Sequence, residues 1–597
     1  MHFDFELKGP YLMVGRAFRC IVWAAIFTAT SFLRAAAPAP QPLASGEELL
    51  STGNITGEYG GRLVVALRAE PKTFNPLNAI DQPSRDIIGR MSSDLLHINA
   101  ISQQTAPALA KNWKVSPDGL KYTLTLRRGL RFSDGHPFSA DDVVFTFKLH
   151  LDEKVHSPQR DLLVIGGQPI SVRKVNASVV EFQLAKPYAA AERIFDSIAI
   201  LPEHLLAKTF EDGRITEAWS LNSSPAEIAG MGPFRMKEYV PGQQLVLERN
   251  PYFWKVDQKK RRLPYLDELV FLFVPSEDAQ VLRFQGGETD LLSRLSAENY
   301  AVLEKDQDAK AFQLQDLGPG LEFNFLFFNQ NSVLPKDSPA LQSKQEWFRQ
   351  VAFRQAISSA IDRNGIIHLV YRGRATPLWF HVTPANKLWL NQSIQQPQRS
   401  IPHARELLKA AGFSWKDDGS LVDAGGHPVE FSIITSASNA QRTKMAAIIQ
   451  DDLKELGIKV NVVPLEFKAV IDRVFQTHDY EAAILALGGG DVDPNPQMNV
   501  WMSNGSSHVW DLAESKPATP WEAEIDRLMS LQLSTIRPKE RKKLYDNVQA
   551  IVADKLPIIC LASPNQLVGA KKNIGNFQPA ILDHATLWNV EQLYIKK

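Results

Sequence analysis

Between residues 429 and 490 the hydrophobic period switches repeatedly between two and 3.6 residues, and no other feature narrows the fold as much. The pattern predicts a strand over 429–434, a helix over 439–456 that stops at Gly457, and a strand over 458–465. A helix over 467–475 and a strand over 480–487 follow. This βαβαβ order forms parallel sheets with right-handed crossovers, and in open sheets of that kind ligands sit outside the carboxyl ends of the strands. Two loops are therefore candidate binding elements, 436–439 and the glycine-rich 488–494. Earlier in the chain, 63–67 is a compact apolar strand leading into 70–76, where Pro71 and Pro76 forbid helix. Residues 122–126 alternate as a half-buried strand does, and 133–135 form a turn. Ser139 caps a helix whose first turn carries Asp141 and Asp142 at the positive end of its dipole, with Val143, Val144, Phe147 and Leu151 on the buried face.

At 597 residues the chain is long enough for several cores. Lys plus Arg equals Asp plus Glu at 66 each, which removes the basic excess of a nucleic-acid binder, so no nucleic-acid partner is expected. Arg16 and Arg19 precede an apolar run over 20–33 and a small-residue stretch over 35–39. Residues 1–39 thus have the layout of a secretory leader, cleaved or kept as an anchor, and the chain is expected outside the cytoplasm, in the periplasm. Residues 40–61 are polar, lack apolar periodicity, and predict a flexible tether. Once the leader is gone Cys560 is the remaining cysteine, in an apolar run that makes it a small buried hydrophobe.

The candidate chemistry is that of a binding protein. Gly488 and Gly489, in a run of three glycines after a buried strand, let another backbone approach closely. Asp491 follows, either as a carboxylate for a ligand ammonium or, with Asp493, as a turn former. Enzyme signatures are missing: there is no phosphate loop, no Gly-x-Ser-x-Gly, no His-Glu-x-x-His and no Cys-x-x-Cys. The thirteen histidines are scattered, and lone ones such as His427 and His508 read as surface or core residues. Neither cofactor nor metal is called for. Of the twelve tryptophans, Trp501 is the expected pocket aromatic, whereas Trp113, Trp347 and Trp588 are expected to pack.

Several stretches together carry a family resemblance: LTLRRGLRFSDGHPFSADDVVF over 124–145, GMGPFR over 230–235, RNPYFW over 249–254, FQGGETD over 284–290, FRQVAFRQAISSAID over 348–362 and ARELLKAAGF over 404–413. In order and spacing the chain from Arg62 to Lys597 resembles family 5 of the bacterial extracellular solute-binding proteins, which includes oligopeptide and dipeptide receptors of ABC importers. The resemblance implies an α/β, two-lobed periplasmic-binding-protein-like fold with discontinuous lobes, mixed sheets flanked by helices, and a subdomain inserted in the first lobe. The expected divisions are a lobe I core from 62–80, 231–318 and 560–597, an inserted subdomain at 81–230, and lobe II at 319–559. Crossings are placed near 318–321 and 555–559.

In peptide-binding relatives an extended ligand pairs through its backbone with strands of both lobes. The resemblance maps this role to Glu70, Lys72 and Thr73 in the first lobe and to Leu487, Gly488 and Gly489 in the second, with Asp491 at the peptide amine. Where such relatives carry a tryptophan in the strand before this loop, this chain has Ala486-Leu487. The implied function is that of a monomeric, extracytoplasmic receptor that binds a short peptide or another small solute and delivers it to an ABC transporter permease. A nickel chelate, haem or an oligosaccharide are alternative ligands. A periplasmic chaperone or sensor would use the same cleft, and a hydrolase would need Asp491 and Asp493 as a carboxylate pair.

Overall fold

The computed structural model describes residues 37–334, 339–488, 491–512, 514–582 and 584–597. The predicted leader falls at 1–36 outside them, apart from residues 37–39. No helix of the described residues is long and apolar enough to cross a membrane.

A twelve-stranded mixed sheet organises the chain. In chain order its strands are β1 (Arg62–Leu67), β2 (Phe234–Val240), β3 (Gln244–Arg249), β4 (Glu268–Phe273), β5 (Leu291–Leu292), β6 (Phe312–Pro319), β7 (Phe323–Phe328), β8 (Ala375–Pro377), β9 (Glu430–Ser436), β10 (Lys459–Leu465), β11 (Ala482–Leu487) and β12 (Ile558–Lys571). The spatial order is β2-β3-β4-β1-β5-β12-β7-β11-β9-β10, with β6 and β8 also paired to β12. Strand β12 thus belongs to both halves. Its residues from Ile558 to Ala562 pair with β7, and those from Asn565 to Lys571 pair with β6. The expected crossing at 555–559 accordingly lies a few residues too early, because β12 runs on unbroken and changes partner between Ala562 and Asn565. The other crossing is the short link between β6 and β7. There the Gly320 amide donates to Pro564 O at 2.9 Å, and its carbonyl accepts from Thr383 Oγ1 and Ser563 Oγ.

The βαβαβ segment forms as its periodicity predicts. β9 pairs in parallel with both β10 and β11. The helix between β9 and β10 spans Ala440–Lys454, with the Asn439 side chain accepting from Arg442 N as its cap. The helix after β10 runs over Phe467–Asp472 and continues into a wider turn over Arg473–Thr477. β7, with sequence Phe-Asn-Phe-Leu-Phe-Phe, is buried at every position, so helices cover both its faces. Each fully buried phenylalanine there contributes about 1.5–3 kcal/mol. The Ser139 cap also holds: helix Ala140–Leu151 opens with a capping box in which Asp142 bonds back to Ser139 N. Residues Ala110–Val115, Lys121–Leu126, Val179–Gln183 and Ser171–Asn176 form a separate four-stranded antiparallel sheet with its own core. Cys560 lies fully buried in β12, and burial pushes its thiol up to about 12.

Residues 40–61 are not a loose tether. Leu50–Ser51 pairs in parallel with Lys255–Val256. Glu47 forms a buried ion pair with Arg262 at 2.7 Å, and Glu48 binds Lys111 and Arg128. The hydrogen bond from Lys111, with Arg128 adding to it, outweighs burial and holds the Glu48 carboxyl down at about 2. The polar residues that suggested flexibility find partners more than sixty positions away.

The signature GMGPFR has a steric reason. A Cβ on Gly230 would stand 2.0 Å from Met91 O, and one on Gly232 would stand 2.4 Å from Met91 C, both backbone atoms at the end of helix Gln82–Met91. Gly232→Ala is therefore expected to destabilise the chain by about 2–3 kcal/mol, read as a lower urea midpoint at unchanged slope. An unchanged midpoint would mean that this close approach is not required.

Candidate functional site

A cavity of about 900 Å³ lies between the two halves of the sheet, within the range that encloses small ligands. On the first side it is lined by residues 50–54, by the end of helix Gln82–Met91 and the loop after it, and by Arg193, Asp196, Trp254 and Lys255. The C-terminal segment adds His584, Trp588 and Glu591. From the second side come Leu321 and Phe323 at the start of β7, Leu487 and Gly488 at the end of β11, and Asp491, Gln497 and Trp501. β7 and β11 are antiparallel, with Phe323 opposite Leu487, so their adjoining ends open together onto the cavity. A Cβ on Gly488 would meet nothing closer than the Glu322 side chain at 3.8 Å, so a ligand backbone has room there.

Charged groups from distant segments converge on this space. Arg193 Nη1 reaches Asp491 Oδ1 at 2.8 Å, joining the first half to the second. Burial raises the Asp491 carboxyl to about 6, against the pull of Arg193 and with Asp493 adding to the rise. Gln103 Nε2 donates to Ala385 O at 2.8 Å and Ala189 N to Leu533 O at 2.7 Å, so the halves also touch at the rim.

Deeper in, His97 Nδ1 stands 3.3 Å from Asp196 Oδ1 and 3.8 Å from Asp94 Oδ2. These three donors lie close enough to hold a metal ion. The His97 side chain keeps 47% of its surface open to the cavity, yet protein surrounds that space. Such burial alone would lower its pKa, but hydrogen bonds to Asp196 and Asp94 outweigh it and raise it to about 9. Burial, with Asp196 adding, lifts Asp94 to about 7. Lys255 Nζ bonds Glu591 Oε1 at 2.7 Å and lies 5.3 Å from the Trp254 ring centroid. Arg90 is buried, donates to Leu587 O, and has an Nε without a hydrogen bond among the described residues.

The residues singled out from sequence divide sharply. Leu487, Gly488, Asp491 and Trp501 line the cavity, and Gly489 lies outside the described residues. Glu70, Lys72 and Thr73 do not line it. Glu70 is exposed and accepts from Tyr239 OH and Gly242 N, while the amides of Lys72 and Thr73 donate to Ser84 Oγ. Burial of Phe74 and Asn75 pins this segment on the far side of the helix cap, and residues 50–54 take the cavity wall instead. Asp493 is buried in a two-pronged ion pair with Arg541, both contacts at 2.7 Å, and so serves the loop rather than the ligand. Trp501 borders the cavity but is 1% exposed, packed on His381 and Trp510. Trp254 lines the cavity too and is similarly buried, 3% exposed, whereas the half-buried Trp588 also lines it, against expectation. The sequence reading passed over Arg90, Asp94, His97, Arg193, Asp196, Lys255 and Glu591. Only the motif RNPYFW, which ends at Trp254 beside Lys255, pointed near any of them.

The family model described as "Bacterial extracellular solute-binding proteins, family 5 Middle" matches residues 104–508. A protein of Deinococcus radiodurans called "Probable ABC transporter-binding protein" is 28% identical over 86% of this chain and 89% of its own length. The "Oligopeptide-binding protein AppA" of Bacillus subtilis is 27% identical over 90% and 92%. "Heme-binding protein A" of Haemophilus influenzae is 27% identical over 82% and 85%. Among solved structures, the ABC transporter substrate-binding protein CtaP of Listeria monocytogenes superposes with a TM-score of 0.74 at 24% identity, over 90% of this chain and 100% of that one. The two-lobed fold is shared with it.

The folded chain holds the His97 proton up to about pH 9, while an unperturbed histidine releases it near 6.5. Protonation therefore favours the fold fully below pH 6.5, and that contribution is lost as pH rises towards 9. Urea midpoints of the ligand-free protein should fall over this window, and fall less in His97→Gln. Identical slopes in both proteins would contradict the assignment.

Proposed function

Because the chain belongs to the bacterial extracellular solute-binding proteins of family 5, we propose that it is the receptor of an ABC importer and that its ligand is a short peptide held in the cavity between two closing lobes. The observation that carries this reading is the composition of the wall. Strand ends of β7 and β11 and the open space before Gly488 suit main-chain pairing with an extended guest, which tolerates varied side chains. Asp491 offers a carboxylate for a ligand amine, and Arg90 offers a donor for a carboxylate. A peptide amine at Asp491 takes the place that the Arg193 guanidinium holds in this structure, so ligand entry exchanges one charge pair for another. Binding energy then shifts the balance between open and closed forms, and no bond is made or broken. The relatives named as oligopeptide- and ABC transporter-binding proteins agree with the reading. An exported, monomeric protein that meets its permease at the membrane completes it.

One observation favours a second cargo. The convergence of Asp94, His97 and Asp196 has the donor set for a chelated metal, and one relative is named a haem-binding protein. A metal bound there would displace the proton that Asp196 and Asp94 favour on His97.

Melting temperatures in the presence of di- to nonapeptides, nickel–histidine and haem separate these cargoes, a true ligand raising the transition with the logarithm of its concentration above Kd. For a peptide that binds, Asp491→Asn is expected to weaken affinity more than tenfold in calorimetry, and acetylation of the peptide amine to do the same. Unchanged affinity in both experiments would remove Asp491 from the amine site. A shift with nickel–histidine or haem alone would replace the peptide reading.

A further inference from the structure

Away from the cavity, three donors converge in the second half of the molecule at His508, one of the lone histidines read from the sequence as surface or core residues. The side chains of His508, Glu514 and Glu522 are 0%, 3% and 5% exposed. His508 Nε2 stands 3.2 Å from Glu514 Oε2 and 3.9 Å from Glu522 Oε1, and all three atoms lie within 4.8 Å of one another. On its other side His508 Nδ1 is 3.1 Å from the Val500 carbonyl, which can only accept, so Nδ1 carries a proton and Nε2 faces the carboxylates. Among the described residues, the buried Nε2 and Glu514 Oε2 make no hydrogen bond beyond their own 3.2 Å ion-pair contact.

The remaining atoms of the cluster are clamped. Glu514 Oε1 accepts from Ala518 N. Glu522 Oε2 accepts from Thr519 N at 2.9 Å and Thr519 Oγ1 at 2.7 Å, and Glu522 Oε1 from Trp510 Nε1 at 3.1 Å. Partners of this kind behind each donor fix the ring tautomer and carboxylate orientation that a metal site needs.

We infer that His508, Glu514 and Glu522 bind a divalent transition-metal ion of the zinc class at a structural site separate from the cargo cavity. Charge balance supports it. Two carboxylates and a neutral imidazole around a dication sum to zero, whereas a proton on Nε2 leaves a buried net charge of minus one, which burial penalises. The next charged groups are committed elsewhere: Asp511 accepts from Ser332 N, and Arg354 donates to the carbonyls of Phe348, Lys555 and Leu556. Metal–ligand distances of about 2.0–2.2 Å place tetrahedral donors about 3.3–3.6 Å apart. The observed 3.2 and 3.9 Å need only small adjustment. An ion here ties the loop after Trp501 to helix Pro520–Ser534, and so braces the cavity wall that includes Gln497, Val500 and Trp501.

The whole protein, stripped with EDTA and titrated with Zn²⁺ against a chelating dye, should bind about one tight equivalent and regain the melting temperature lost on stripping. Glu514→Gln, close to isosteric, should weaken that equivalent at least tenfold, as should His508→Ala, whereas His97→Ala should leave it in place. The proposal is overturned if neither EDTA nor Zn²⁺ moves the wild-type transition and no tight equivalent appears. It is equally overturned if Glu514→Gln keeps wild-type zinc affinity. Should His508→Ala fail to fold, the wild-type titration and Glu514→Gln decide alone.

Discussion

One strand holds the two halves of this molecule in a single sheet. β12 pairs with β7 over its first five residues and with β6 over its last seven, and the short turn around Gly320 between β6 and β7 is a further link within the sheet. Fourteen residues of one strand in two hydrogen-bonding environments fix where the halves meet. Separate apolar clusters lie over β9–β11 and over β1–β4, while a third joins Ile98, Ala100, Ala580 and Leu582 of the first half to Phe323 and Trp501 of the second. Between the halves lies a cavity of mixed lining, with charged groups such as Arg193, Asp491 and Lys255 beside apolar ones such as Leu321, Phe323 and Leu487.

The cavity wall follows from that arrangement. Paired strand ends present main-chain groups, and loops leaving them deliver Asp491 from one side and Arg193 from the other. Their mutual ion pair, with the neighbouring Asp94, His97 and Asp196, gives the space charges of both signs. Charges of both signs in that lining are what the proposed zwitterionic peptide would meet.

The fold was legible where structure is local. The period switches over 429–490 are written in neighbouring residues, and the parallel pairing of β9, β10 and β11 matches them closely. The site was legible only in part. Asp491 and Gly488 sit beside a strand end that periodicity reveals, but Arg90 and His97, Arg193, Lys255 and Glu591 come from four separate stretches, and nothing in any one stretch says that they meet. Glu70 to Thr73 was misplaced for the same reason, since only the fold decides which face of the first lobe the segment takes. Residues 40–61 misled in the opposite way, as Glu47 and Glu48 look solvated until their distant arginine and lysine partners are known. Counting tryptophans could not tell Trp588 at the cavity from Trp501 packed beside it.

If the halves move about β12 and Gly320 to grip a guest, the distance across the cleft must depend on that guest. Spin labels at Ala177→Cys and Lys409→Cys, both exposed and in opposite halves, report this directly by pulsed electron–electron resonance, and buried Cys560 does not react. A saturating ligand is expected to collapse a broad, longer distribution into one short distance. The same distribution with and without a ligand that binds would contradict closure about this strand.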